Sequence, residues 1–128
     1  EKNNGLTVES LITEKIVNSV HDISSGGIIV ALSEMCIGGK MGAKLNISNK
    51  SISLQEYLFG EDQSRYLIEF NEKNKDVVSQ ILEKNSVYFE IIGKTQKDYL
   101  ELNKEFNISI NDLDKLNSGW FKNYFNEN

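Results

Sequence analysis

The chain has 128 residues, 39% of them hydrophobic and 26% charged, a composition typical of one globular domain and not of a disordered segment. Fourteen basic and nineteen acidic residues give a net charge of −5, which argues against a nucleic-acid-binding face. One Cys and one His exclude an internal disulfide and a conventional zinc site. The longest wholly apolar run, residues 28–32, is far shorter than a membrane span of about 20 residues.

The start of the chain carries two further indications. Residue 1 is Glu and not Met, which predicts a processed chain or a piece of a longer protein. No basic segment followed by an apolar one opens the sequence, so a secretory signal is not expected. The sequence therefore predicts a cytoplasmic protein with no membrane and no nucleic-acid partner.

The predicted elements alternate between helix and strand, without Pro-rich or Ser/Gly-rich linkers. Apolar residues at helical spacing, with Thr7 as the first cap, predict helices at about 8–20, 28–37, 54–59, 75–84 and 113–124. Short apolar or alternating runs predict strands at 43–47, 65–70 and 105–110, and an apolar β-branched run at 87–92 precedes Gly93. This order predicts a single α+β domain over residues 1–128, with a mixed sheet covered by helices on one side.

The first candidate site is the segment 22–27, which begins at Asp22, ends in two glycines and directly precedes a predicted helix. Free backbone N–H groups at a helix start favour anions, and glycines allow a phosphate to approach the main chain. Ser24 or Ser25 can cap the helix or bond such an anion. The alternative is a tight turn that binds nothing, which is the commoner structure at a helix start.

The second candidate site is the segment 59–65, between a predicted helix and a predicted strand. It holds Glu61, Asp62, Gln63 and Arg65, the only arginine of the chain. Polar side chains on a loop between rigid elements are a usual way to build a site. The alternative is a solvated turn in which Glu61 or Asp62 pairs with Arg65, a contact worth under about 1 kcal/mol.

Two reactive residue types have structural explanations. His21 precedes Asp22, but adjacent residues of an extended segment point to opposite faces, so a His bonded to the backbone is expected. Cys36 lies on the apolar stripe of a predicted helix and is expected in the core. No nucleophile elbow accompanies them, and the sequence predicts neither a catalytic residue nor a metal ligand.

Several segments resemble the phosphoribosylformylglycinamidine synthase family, the PurL-type synthetase subunits. Residues 21–35, HDISSGGIIVALSEM, resemble that family's HDxSDGGLxxALxEM segment, and residues 58–66, LFGEDQSRY, resemble its FGESQxRY segment. Further matches at 38–39, 42–43, 91–94 and 116–120 follow in the same order, so the resemblance covers most of residues 16–125. The His-Asp start suggests the second, C-terminal copy of that family's repeated two-domain unit.

The resemblance implies a PurM-like C-terminal domain of a longer, multi-domain synthetase. Such an enzyme uses ATP, Mg²⁺ and glutamine-derived ammonia to convert formylglycinamide ribonucleotide to the amidine in purine biosynthesis. Its nucleotide and most catalytic groups lie on the other type of domain, so this fragment alone is expected to be inactive and to hold no cofactor. Its expected partners are the remaining domains and a glutaminase subunit or domain. An isolated domain also exposes surface that normally packs on neighbours, which favours a homodimer.

The sequence departs from the family pattern at two positions. Ser25 stands where the family usually has Asp, and Asp62 stands where it often has Ser. The resemblance leaves these candidates for binding substrate or phosphate: Asp22, Ser24, Gly26, Gly27, Glu61, Gln63 and Arg65. The alternatives are the C-terminal domain of a selenophosphate synthetase or an aminoimidazole ribonucleotide synthetase, or a non-catalytic interaction module.

Overall fold

A computed structural model describes residues 2–48 and 52–126, with side chains as far as residue 119. The helices are α1 Lys2–Thr13, α2 Gly27–Gly39, α3 Leu54–Phe59, α4 Lys75–Lys84 and α5 Ile110–Asn126. The strands are β1 Ser19–Asp22, β2 Gly42–Leu45, β3 Tyr66–Glu69, β4 Gly93–Gln96, β5 Tyr99–Leu102 and β6 Phe106–Ser109. This succession of helices and strands confirms the α+β class. Within these residues, no helix is long and apolar enough to cross a membrane.

The described part of the chain forms two compact units. The first comprises Glu1–Leu32 and Ser51–Ile91, and in it β1 pairs antiparallel with β3. The second comprises Ser33–Lys50 and Ile92–Asn128 and holds a sheet in the order β4-β2-β5-β6. Strand β2 runs parallel to β5 and antiparallel to β4, which confirms the predicted mixed sheet. The separate β1–β3 ribbon is an addition that the sequence did not predict.

The core of the first unit joins α1 to α4. Leu11 of α1 and Val78 and Leu82 of α4 are almost completely buried. The two α4 residues are four positions apart, so they lie on one face of that helix. The partly buried side chains packed against this core are those of Ile16, Val17, Ile68, Phe70, Ile81, Val87 and Phe89.

The mixed sheet of the second unit has one apolar and one polar face. Ala43 and Leu45 of β2 are buried, as are Leu100 and Leu102 of β5. The residue between each pair points to the opposite face, where Lys44 Nζ lies 3.4 Å from Glu101 Oε2. Burial on a single face is what the predicted covering on one side requires.

The short helix α3 begins with the predicted capping box. The Ser53 side chain accepts the Glu56 N–H at 3.2 Å, and the Ser53 N–H donates to Glu56 Oε2 at 2.9 Å. The hydrogen bond from the Ser53 backbone lowers the pKa of the Glu56 carboxyl below its ordinary value. Because all these contacts are local, the sequence predicts both ends of α3 correctly.

The predicted helix at 8–20 is wrong at both ends. Helix α1 already begins at Lys2, and Thr7 is not its cap but a buried residue inside it. The helix ends at Thr13 because Lys15 takes a left-handed φ of 57° and Ile16 N–H bonds back to Leu11 O at 3.1 Å. The apolar spacing continues past this turn because the next residues pack on the core from non-helical backbone.

The later part of the chain, from residue 87 to β5, also differs from the sequence prediction. Residues 87–92 are irregular, and strand β4 starts only at Gly93, which lies opposite Leu45. A Cβ atom on Gly93 would lie 2.2 Å from Lys44 O, so this pairing requires glycine. The sequence analysis did not predict strand β5. This strand has only four residues and follows two charged residues, so it is too short to show a clear alternation of apolar and polar side chains.

Asn103 extends the pairing of β2 with β5 by means of its side chain. The backbone N–H of Asn103 donates to Leu45 O at 3.0 Å. Its Oδ1 accepts the Ile47 N–H at 2.7 Å, and its Nδ2 donates to Ile47 O at 3.1 Å. The φ of 48° at Asn103 is one that asparagine tolerates better than most residues. One amide side chain therefore satisfies both backbone groups of Ile47.

We expect Asn103→Ala to lower the free energy of unfolding by about 1–3 kcal/mol, because both Ile47 backbone groups lose their partner. Urea unfolding followed by circular dichroism measures this loss. Asn107→Ala, at an exposed position of β6, is the matched control and should change stability by less than about 0.5 kcal/mol. Equal losses in the two variants would contradict this role of Asn103.

Candidate functional site

The structure brings the two candidate segments together in the first unit. Gly26 N–H donates to Glu61 Oε1 at 2.8 Å. Ile23 N–H donates to Arg65 O at 2.8 Å. The register of β1 with β3, which places Asp22 opposite Tyr66, delivers both segments to the same end of the ribbon. We call residues 22–27 the glycine turn and residues 60–65 the acidic loop.

The two glycines of the glycine turn have a packing explanation. Gly26 and Gly27 have φ values of 85° and 72°, in the left-handed region that favours glycine. A Cβ atom on Gly27 would lie 2.4 Å from Leu58 O, at the end of α3. The turn thus needs glycine so that α2 can begin against the main chain of α3. The approach of a phosphate is not required to explain it.

A carboxylate of the protein itself occupies the start of α2. The sequence left two possibilities for the glycine turn: its N–H groups face an external anion, or it is a tight turn that binds nothing. In the structure, the Glu61 side chain accepts the Gly26 N–H. A negative charge at this end of a helix is stabilised by the helix dipole. Glu61 therefore makes the kind of contact that was expected from a phosphate.

Arg65 contacts both its own acidic loop and the neighbouring helix α3. Its Nη1 lies 3.4 Å from Gly60 O and 3.5 Å from Asp62 Oδ2. Its guanidinium carbon lies 5.7 Å from the centre of the Tyr57 ring, within the range of a cation–π contact. Because the Asp62 side chain is 83% exposed, its pairing with Arg65 adds less than about 1 kcal/mol.

The sequence did not predict a hydrogen bond beside Arg65. Tyr57 Oη donates to Glu90 Oε1 at 2.5 Å. Burial, and then this contact with the Glu90 carboxylate, raise the pKa of Tyr57 well above its ordinary value, so the phenol stays protonated. Tyr57 lies in a predicted helix, but Glu90 is 33 residues further along, and no local pattern links the two.

Three of the predicted polar candidates lie at the surface. The Asp22 side chain is 73% exposed, and Ser24 and Gln63 are also exposed. The Ser24 carbonyl accepts the Gly27 N–H at 3.1 Å. The Gln63 side chain makes no hydrogen bond within the described part of the chain.

The His and the Cys have structural surroundings. His21 Nδ1 lies 2.6 Å from Asp22 O, which confirms a contact with the backbone. The Asp22 carboxylate lies 3.7 Å from the same nitrogen, closer than the sequence argument allowed. Cys36 is buried as predicted, and burial raises the pKa of its thiol. Residues 2–48 and 52–126 include no group of three His, Cys, Asp or Glu side chains that could hold a metal ion.

Comparison with known proteins gives matches over nearly the whole chain. The family model described as "AIR synthase related protein, C-terminal domain" matches residues 2–103. A Pelagibacter ubique protein named phosphoribosylformylglycinamidine synthase subunit PurL is 48% identical over 124 residues, which are 97% of this chain. The protein of that name from Bartonella quintana is 34% identical over 99% of this chain. The chain spans 17% of the length of each of these relatives.

Solved structures from Thermotoga maritima share the fold. The structure described as PurL complexed with ATP has a TM-score of 0.75 and covers 88% of this chain and 21% of its own. The structure described as PurLQS has a TM-score of 0.77 with the same coverage. Both are 16% identical in sequence, and at this identity the likeness establishes the fold alone.

We expect Gly27→Ala to destabilise the protein by more than about 2 kcal/mol, because alanine would combine a left-handed φ with a clash against Leu58 O. Gly38→Ala, in the same helix, meets no atom within 4 Å and should instead stabilise by about 0.5–1 kcal/mol. Thermal unfolding of both variants tests the difference. A neutral Gly27→Ala would show that the close approach of α2 to α3 is not needed.

Proposed function

The chain belongs to the family of AIR synthase related C-terminal domains, and we propose its function on this basis. We infer that residues 1–128 form a single domain of this type within a longer phosphoribosylformylglycinamidine synthase. The observation that carries this inference is the 48% identity to the Pelagibacter ubique subunit over 97% of the chain. Because the chain spans only 17% of that protein, the activity belongs to the longer enzyme. This identity favours the synthase over the alternatives, which are a selenophosphate synthetase, an aminoimidazole ribonucleotide synthetase and an independent interaction module.

The proposed enzyme is an ATP-dependent ligase of purine biosynthesis. It converts formylglycinamide ribonucleotide to the amidine with ammonia released from glutamine. ATP phosphorylates the amide oxygen of the substrate, and ammonia then attacks the activated carbon and displaces the phosphate. The solved Thermotoga maritima structures described as PurL complexed with ATP and with FGAR support this choice of substrates. Magnesium is expected to accompany ATP.

The glycine turn in this chain does not fit the phosphates of ATP. Its Gly26 N–H is held by the Glu61 carboxylate, and the Asp62 carboxylate lies on the same loop. These negative charges would repel a phosphate placed there. We therefore assign ATP, Mg²⁺ and the catalytic groups to the remainder of the enzyme.

The role proposed for this chain is to line the substrate cleft and to dock the neighbouring domains. Among the candidate residues, Asp22, Ser24 and Gln63 have exposed side chains that can meet a substrate or a domain surface. Arg65 adds a positive charge beside them, while Gly26 and Gly27 shape the backbone. Of these side chains, the Gln63 amide is the best suited to recognition, since it can both donate and accept hydrogen bonds.

The proposed partners are the remaining domains of the synthetase and a glutaminase subunit or domain that supplies ammonia. The solved structure described as PurLQS is consistent with an assembly of several components. Exposed apolar side chains such as Phe59 (57%) and Tyr88 (84%) suit contacts with neighbouring domains. Without those domains, the same surface favours a homodimer. We place the enzyme in the cytoplasm.

The 128-residue chain alone should show no glutamine- or ammonia-dependent hydrolysis of ATP, because the groups that bind ATP are assigned elsewhere. The longer synthetase should show it in the same coupled ADP assay. ADP formation without the substrate ribonucleotide serves as the background. Turnover by the chain alone would refute the assignment of the ATP-binding groups to the rest of the enzyme.

In the longer synthetase, Gln63→Ala should raise the KM for formylglycinamide ribonucleotide about tenfold, the loss expected for one hydrogen bond in a dry cleft. Gln80→Ala replaces an exposed glutamine of α4 and serves as the matched control. Steady-state kinetics of both variants measure the effect. The same KM in the two variants would remove Gln63 from the substrate cleft.

A further inference from the structure

The acidic loop is tied to other parts of the first unit at three points. Glu61 accepts a hydrogen bond from Gly26 at the start of α2. The Ser64 carbonyl accepts a hydrogen bond of 3.0 Å from Asn4 Nδ2 of α1. The Arg65 carbonyl accepts the Ile23 N–H, just after β1. The stretch between these ties, residues 62–63, is left as an exposed tip.

Two adjacent carboxylates of the loop have different surroundings. Glu61 Oε1 accepts a backbone N–H at 2.8 Å, which makes a charge-assisted hydrogen bond across 35 residues of chain. Asp62 is 83% exposed and lies 3.5 Å from the Arg65 guanidinium, a contact within its own loop. The first carboxylate therefore connects two elements, whereas the second does not.

We propose that Glu61 is a positioning residue that ties the acidic loop to the start of α2. Its carboxylate accepts the Gly26 N–H. This N–H is therefore bonded within the protein and is not available to an external anion, which the sequence pattern alone would allow. The tie holds the tip of the loop at a fixed place relative to the glycine turn. This inference rests on the proposed function in one respect: the longer synthetase uses the tip, through Gln63, in its cleft.

Amide hydrogen exchange at Gly26, followed by NMR on the isotope-labelled chain, tests the tie directly. Glu61→Ala should accelerate exchange at Gly26 about tenfold, since one hydrogen bond is lost. Glu61→Gln keeps an acceptor oxygen and should restore most of the protection. Asp62→Ala removes the same charge one residue away and should leave the Gly26 exchange rate within about twofold of the original.

Three results would overturn the proposal. The first is unchanged exchange in Glu61→Ala, and the second is equal acceleration in Asp62→Ala, which would indicate general charge effects. The third is a shift of the Gly26 amide signal of the unmodified chain on addition of inorganic phosphate, which would show that the N–H is open to an external anion. If Glu61→Ala does not fold, Glu61→Met, which has a similar length but no acceptor oxygen, is compared with Asp62→Asn, and faster exchange at Gly26 is expected in Glu61→Met alone.

These measurements do not depend on synthetase activity. One possible outcome is that Glu61 protects Gly26 from exchange, but Gln63→Ala leaves the kinetics of the longer enzyme unchanged. This pair of results would support the positioning role and refute the proposed use of the tip. The converse pair of results would keep the cleft contact and refute the positioning role. The two proposals can therefore fail separately.

Discussion

The start of α2 lies so close to the last turn of α3 that no side chain fits between them. This approach requires Gly27, whose absent Cβ leaves room for the Leu58 carbonyl. Once the two helices meet in this way, the chain leaving α3 must pass the glycine turn. Glu61 can then reach the Gly26 N–H, and the carbonyl of Arg65, just before β3, can accept the Ile23 N–H. The geometry of the candidate site is thus a consequence of one backbone contact.

The sequence predicts those parts of the fold that depend on local contacts. Helix α3 is predicted to the residue because Ser53 and Glu56 cap it reciprocally within a single turn. The helix predicted at 8–20 fails because Ile16 and Val17 continue the helical spacing although they reach the core from irregular backbone. Apolar spacing reports which residues are buried, but it does not report the backbone that carries them there.

The same distinction applies to the site. Gly26 and Glu61 each stand out in the sequence, one by its glycine pair and one by its cluster of charges. The hydrogen bond between them spans 35 residues and depends on the pairing of β1 with β3, which no local pattern specifies. Tyr57 and Glu90 are linked in the same non-local way. The resemblance identifies the family, while the structure shows which of the family's residues this chain uses to hold itself together.

The amide of Asn103 has a consequence for association between chains. Ile47 lies two residues beyond the end of β2, where an unpaired N–H and C=O would offer a template for a strand of another molecule. Asn103 occupies both groups with a side chain that cannot propagate a ladder any further. Asn103 thereby ends the pairing of β2 with β5 at Ile47 and leaves neither of these backbone groups open to a strand of another molecule, without any lengthening of β5.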